Sequence, residues 1–245
     1  MSGILLEVCV DDAQGLAAAM EGGADRIELC SALAVGGLTP SPGLMALAGP
    51  PPVPVYAMIR PRPGDFVYGG ADLDVMRRDI DAARNAGLAG VVLGASLADG
   101  RLDARMLTKL AGHAAGMGLT LHRAFDLVPD FAEAIEIAVE LGFERILTSG
   151  GARTAPEAVD TLARLVELAA GRVSIMPGSG VSLSSIDALL PRLAVTEVHS
   201  SCSVGEPARN RRLTEMGFAA AERRITNAAT IRTMRTRLDA LTTKP

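Results

Sequence analysis

The chain has 245 residues, of which 49% are apolar and 21% charged, and its net charge is −4. That length suits one (β/α)8 barrel of about 250 residues, the composition supplies a large core and argues against disorder, and the charge gives no basic footprint for nucleic acid. No apolar run reaches ~18 residues, so no membrane-spanning helix is expected, and the absence of tryptophan argues against a nucleobase-stacking platform.

Short β-rich runs alternate with helical patterns along the whole chain. Leu5–Val10 is the first strand. It is entered at once from Met1-Ser2-Gly3-Ile4, without the charged n-region of a signal peptide. Asp12–Gly22 follows as a helix with Leu16, Ala19 and Met20 on one face and a Gly22-Gly23 stop. Arg26–Cys30 and Val53–Arg60 are the second and third strands. Asp72–Gly87 is a helix carrying Leu73, Met76, Ile80 and Ala83 at helical spacing. The remaining strands are Gly90–Gly94, Leu119–His122, Arg145–Thr148, Val173–Met176 and Glu197–Ser200. Helical patterns at Asp103–Met117, Phe131–Leu141, Ala155–Ala170, Ser184–Leu193 and Ile225–Leu241 fill the intervals and close the chain. Ser203–Arg224 is the least regular stretch. Its Arg209, Arg211, Arg212, Arg223 and Arg224 read as a solvated loop over the barrel mouth.

Strand–helix alternation implies a parallel sheet with crossover helices, and eight such units favour a closed (β/α)8 barrel. No linker interrupts the pattern, so residues 1–245 are expected to form a single domain. Side chains alternate along a strand, so parity assigns faces. Leu6, Val8 and Val10 share one face of the first strand, which points Glu7 and Cys9 inward. By the same rule Arg26, Glu28 and Cys30 point inward from the second strand, beneath Ile27 and Leu29 on the other face. Arg60 turns inward at the end of the third strand, His122 at the end of the fifth, and Glu197 and His199 in the eighth. Buried unpaired charges cost several kcal/mol each, so these groups must pair or meet a ligand. Arg60 is the expected counter-ion of Glu7 or Glu28.

Two chemistries follow. In one, Glu7 or Glu28 is a general base and His122 or His199 its acid–base partner, with Asp126 at the same mouth. Arg60 and the Gly178-Ser179-Gly180 loop after strand seven would then hold a small anionic or phosphorylated metabolite. Crowded carboxylates raise the pKa of one of them, which suits proton transfer near neutrality. In the other, Cys9 and Cys30 are soft ligands for Cu(I) or Zn(II), with histidine nitrogens in support. Against this stands the ordinary role of free cysteine as a small buried residue. Cys202 lies near the mouth, and His113 is expected on an outer helix surface. Three scattered cysteines are too few for a disulfide framework, which fits a reducing, cytoplasmic location. Nucleophile-elbow, Walker, zincin and dinucleotide motifs are absent.

Several of these strings resemble the CutC family, named for copper tolerance in bacteria. They are Leu6-Glu7-Val8-Cys9-Val10-Asp11, Gly22-Gly23-Ala24-Asp25-Arg26-Ile27-Glu28-Leu29-Cys30-Ser31, Gly36-Gly37-Leu38-Thr39-Pro40-Ser41 and Met58-Ile59-Arg60-Pro61-Arg62. Gly64-Asp65-Phe66-Val67-Tyr68, His122-Arg123-Ala124-Phe125-Asp126 and Arg145-Ile146-Leu147-Thr148-Ser149-Gly150 belong to the same pattern. The resemblance implies a (β/α)8 barrel, a cytoplasmic protein, a role in copper homeostasis with copper binding, and homo-oligomers. Two departures stand out. His199-Ser200-Ser201-Cys202 replaces the family's His-x-Ser-Ala, and the chain beyond Ser203 matches loosely.

Overall fold

The structure is a computed structural model that describes residues 3–50 and 52–242. Met1 and Ser2, read above as leading into the first strand, lie outside the described residues. Eight parallel strands form one sheet: β1 Leu5–Val10, β2 Arg26–Leu29, β3 Val55–Met58, β4 Gly90–Leu93, β5 Gly118–Leu121, β6 Arg145–Thr148, β7 Ser174–Pro177 and β8 Glu197–Ser200. The ladder runs β7-β6-β5-β4-β3-β2-β1-β8, so each strand lies beside its sequence neighbour and β8 returns to β1. Beyond the ladder's ends, Ser200 Oγ donates to the Val181 carbonyl (2.7 Å) and ties β8 to the loop after β7. This is the nearly closed (β/α)8 barrel that the alternation predicted.

The helices are α1 Ala13–Gly22, α2 Pro42–Ala48, α3 Gly70–Asn85, α4 Ala104–His113, α5 Phe131–Glu140, α6 Val159–Ala169, α7 Ile186–Leu189, α8 Arg211–Glu215 and α9 Ala228–Thr242. Side-chain caps set several starts: Asp12 accepts from Gly15 N–H (2.6 Å), Asp103 from Met106 N–H (2.9 Å), and Asp130 from Ala132 N–H (2.8 Å). Helix α2 is absent from the sequence reading. It is short, and its signal is Ser41 accepting from Leu44 N–H (3.1 Å) with Pro42 in the first turn.

The stretch after β8 is more ordered than a solvated loop. β9 Ser203–Pro207 and β10 Glu222–Thr226 pair antiparallel, Ser203 opposite Thr226 and Pro207 opposite Glu222, with α8 between them. Ile225 therefore belongs to a strand, and the final helix starts at Ala228.

Among the described residues there are two separate apolar regions. The large one lies between sheet and helices, where Leu6, Val8, Val10, Ile27 and Leu29 meet Leu16, Met76, Leu107, Ile231, Met234 and Leu238. Burying each such side chain stabilises the fold by about 1.5–3 kcal/mol. The small one is inside the barrel and holds only Cys30, Tyr56, Met58 and Val92, with Leu33 against it. A barrel interior is ordinarily filled by branched apolar side chains. Here much of it is polar, and the fold needs another way to satisfy it.

Candidate functional site

The floor of the barrel is a closed network of charges. Register sets Glu7 level with Arg26 on one side and with His199 on the other. Arg26 reaches across the interior, donating through Nε to Glu7 and through Nη2 to Glu197. Arg145 pairs with Glu197 (3.3 Å) and with Glu144 (2.8 Å), and donates to Thr120 Oγ1 (2.9 Å). The Tyr56 ring lies under both guanidiniums, 5.6 Å from Arg26 and 4.9 Å from Arg145. Gly90 and Gly118 make room for it, since a Cβ at either would come within 2.2 Å of the Tyr56 side chain. The expected pairing of Arg60 with Glu7 or Glu28 is thus replaced: Arg26 is the counter-ion. Arg145 and Tyr56 were not foreseen. The signal for Arg26 was its shared parity with Glu28 one strand away from Glu7.

Above the floor lies a triplet. His199 Nδ1 sits 2.8 Å from Glu7 Oε1, and its Nε2 is 3.9 Å from Glu28 Oε2. Ligand atoms of Cys9, Glu28 and His199, all buried, fall within 4.8 Å of one another. Cys30 is outside this group. Its thiol donates to Glu28 Oε2 (3.4 Å) and packs into the small apolar cluster.

Charges here shift one another. Burial raises the Glu7 carboxyl, but Arg26 and His199 outweigh burial and hold it down at about 2. Burial lowers His199, yet the Cys9 sulfur, Glu28 and Glu7 overcome this and raise it well above the ordinary imidazole value. Glu28 is raised, first by burial and then by the charge on Glu7, against the pull of His199. Burial and the Glu28 charge push the Cys30 thiol well above its usual range, so Cys30 stays protonated.

The triplet opens into a cavity of ≈ 470 Å³ at the C-terminal ends of the strands. Cys9, Glu28, Arg60, His122, Asp126, Ser179 and His199 line it, with Leu33, Met58, Phe66 and Leu147 as apolar walls. His122 fits only because residue 94 is glycine, where a Cβ would lie 2.5 Å from its ring. Burial and the Arg60 charge lower His122 to about 3, so its ring is neutral. Asp126 is saturated. Its Oδ1 accepts from Thr148 Oγ1 (2.5 Å), Ser149 N–H (3.0 Å) and Gly151 N–H (3.1 Å), and its Oδ2 from Arg123 Nε (2.7 Å) and Ser149 Oγ (2.9 Å). It pins the loop after β5 to the loop after β6.

Of the Gly178–Gly180 loop, Ser179 lines the cavity. The Gly178 amide is committed to the Thr148 carbonyl (2.9 Å), and Gly180 packs against Thr154. Cys202 is buried and unpaired. His113 lies on outer helix α4 with Nε2 2.9 Å from Asp81 Oδ1.

The CutC family model matches residues 4–204, from the start of β1 to the first residues of β9. The chain belongs to the CutC family. A protein of Rhizobium meliloti (strain 1021) named family protein CutC is 82% identical over 240 residues, 98% of each chain. One of Caulobacter vibrioides (strain NA1000 / CB15N) with the same name is 59% identical over 230 residues, 93% of this chain and 94% of the relative. The solved CutC structure from Streptococcus agalactiae is 33% identical, with a TM-score of 0.77 over 81% of this chain and 98% of that one.

Proposed function

We propose that this CutC-family barrel binds a monovalent soft cation, Cu(I), at its mouth through Cys9 and His199, with Glu28 alongside. The carrying observation is the hydrogen-bonded pair Glu7–His199 beneath the triplet. A metal-bound histidine characteristically donates its second ring nitrogen to a carboxylate, which fixes the ring and leaves the other nitrogen for the ion. Glu7 does this for Nδ1, and Nε2 is left on the side of Glu28. One thiolate and one imidazole suit Cu(I), which accepts low coordination numbers. The name given to the S. agalactiae protein proposes a copper-homeostasis role for that protein, which supports the same reading here. The three free cysteines suit a reducing cytoplasm, and no described helix is long and apolar enough to cross a membrane. Anaerobic Cu(I) titration against a competing chelator is the test. Cys9→Ser loses the site and Cys30→Ser keeps it; equal affinity of Cys9→Ser and wild type removes the reading.

A second reading is favoured by the cavity, whose ≈ 470 Å³ far exceeds the needs of one ion. In it, the barrel acts on a small anionic metabolite by acid–base chemistry. His199 carries a proton held between Glu7 and Glu28, and Glu28, raised by burial, exchanges one with bound substrate. Metabolites that shift the melting temperature are then followed by NMR for exchange of a carbon-bound proton with solvent. Exchange that Glu28→Gln abolishes supports this reading, and exchange unchanged in that variant removes Glu28 from it.

A further inference from the structure

Among the described residues, Arg60 is a buried cation with no carboxylate paired to it. It is 5% exposed, and its hydrogen bonds go to backbone carbonyls: Nη1 to Val35 (2.7 Å) and Gly37 (3.1 Å), Nη2 to Gly64 (2.9 Å). Carbonyl oxygens orient and solvate a guanidinium but leave its charge uncancelled. Its Nε–H has no hydrogen-bond partner among the described residues. On the floor of the same barrel, the buried Arg26 meets two carboxylates, so this chain supplies counter-ions where the fold alone requires them.

His122 beside it also carries an unpartnered N–H. The ring is 3% exposed, and Nδ1 accepts from Ala124 N–H (3.1 Å). A neutral imidazole that accepts on Nδ1 carries its proton on Nε2, and that Nε2 is buried with no partner. Phe66 joins the two groups into one wall. Its ring lies 4.9 Å from the Arg60 guanidinium carbon and 4.9 Å from the His122 ring centroid. Both residues line the cavity at the mouth. A buried N–H left unsatisfied costs about 1–3 kcal/mol, and two of them beside an uncancelled cation ask for an anionic oxygen.

We propose that the Arg60–His122 wall is an anion subsite, taking the carboxylate or phosphate of a small hydroxylated molecule. The hydroxyl is placed by the third unsatisfied atom among the residues that line the cavity, Glu28 Oε1. A hydroxyl both donates and accepts, so it meets that oxygen whether or not Glu28 carries a proton. The subsite rests on the small-molecule reading of the cavity and is independent of copper. It lies on the strand-three and strand-five side of the mouth.

The experiment follows the His122 side-chain nitrogens by NMR while full-length protein is titrated with glycolate, glycerol phosphate or uncharged glycerol. A saturable shift of His122 Nε2 with glycolate marks a carboxylate site, and one with glycerol phosphate a phosphate site. Glycerol leaves the resonance unmoved. Arg60→Lys and, read by calorimetry, His122→Gln each weaken the bound anion by at least about tenfold. The wild-type titration stands even where a variant fails to fold. Glycerol shifting His122 as strongly as the anions overturns the anion assignment and leaves the small-molecule reading intact. No saturable shift with any of the three at tens of millimolar overturns both.

Discussion

The floor and the mouth of this barrel are built from the same residue types and behave as opposites. At the floor, Arg26 and Arg145 share Glu7, Glu197 and Glu144, and Tyr56 lies against both cations while donating to Glu144 Oε2 (2.8 Å). Toward the mouth, Glu28 Oε1, Arg60 Nε and His122 Nε2 have no hydrogen-bond partner among the described residues; at the floor Arg145 Nε alone shares that lack, and it faces Glu197 at 3.3 Å. Apart from Glu144, which is exposed, the charged groups of the two regions are similarly buried, so burial does not separate structure from function here. Satisfaction does. A buried network in which every cation meets a carboxylate replaces the apolar filling of an ordinary barrel, whereas a cation without one costs stability that a bound anion returns. The saturation of Asp126 places it with the floor in this respect, although it lines the mouth.

The largest expected effect breaks the floor. Arg26→Met leaves Glu7 with His199 alone and Glu197 with Arg145 alone, and should cost about 3–5 kcal/mol in urea denaturation at neutral pH. The loss has a pH signature. A carboxyl depressed to about 2 adds stability that is fully present above its unfolded value of about 4.5 and is lost as pH falls through 2. Wild type should therefore shed on the order of 3 kcal/mol from this group across that window. In the variant Glu7 loses the attraction of Arg26 and is held down less, so its deficit narrows as the pH drops. A deficit that stays constant from pH 7 to pH 2.5 would mean that Arg26 acts by packing and not through the Glu7 charge.

How far the sequence carries this comparison depends on which physical rule is local. Strand alternation is local, with a period of two, so parity alone turned Glu7, Cys9, Glu28, His122 and His199 inward. Which cation meets which carboxylate is set by the stagger between neighbouring strands, and a single chain's pattern does not contain it. Glu7 stands level with Arg26 on β2. Arg60 follows the end of β3, where the carbonyls of Val35 and Gly37, in the loop after β2, reach it first. The same limit hid the departure of Cys30 from the metal-like group: Cys9 is level with Glu28, and Cys30 lies two residues further up β2's path. The β9–β10 hairpin escaped for another reason. Most of its residues are exposed, so neither strand carries the apolar alternation by which strands are read. The eight barrel strands and the longer helices were legible to within a few residues, whereas the short α2 and α8 were not.

The smallest expected effect sharpens the contrast from the other side. Glu28 is raised above its ordinary value, so ionising it costs the folded state stability as pH rises past about 4.5. Glu28→Gln removes that cost. It also removes the attraction that favours a protonated His199, and the two changes oppose each other. Stability at pH 7 should consequently stay within about 1 kcal/mol of wild type, although the side chain is as buried as Glu7. The variant keeps an oxygen for the Cys30 thiol and turns the other position into an N–H₂ facing the cavity. Urea denaturation of Glu28→Gln beside Arg26→Met is a direct comparison of mouth and floor. If Glu28→Gln proved as costly as Arg26→Met, Glu28 would be a structural member of the network below it, and the cavity would lose the acid–base group on which a reaction there depends.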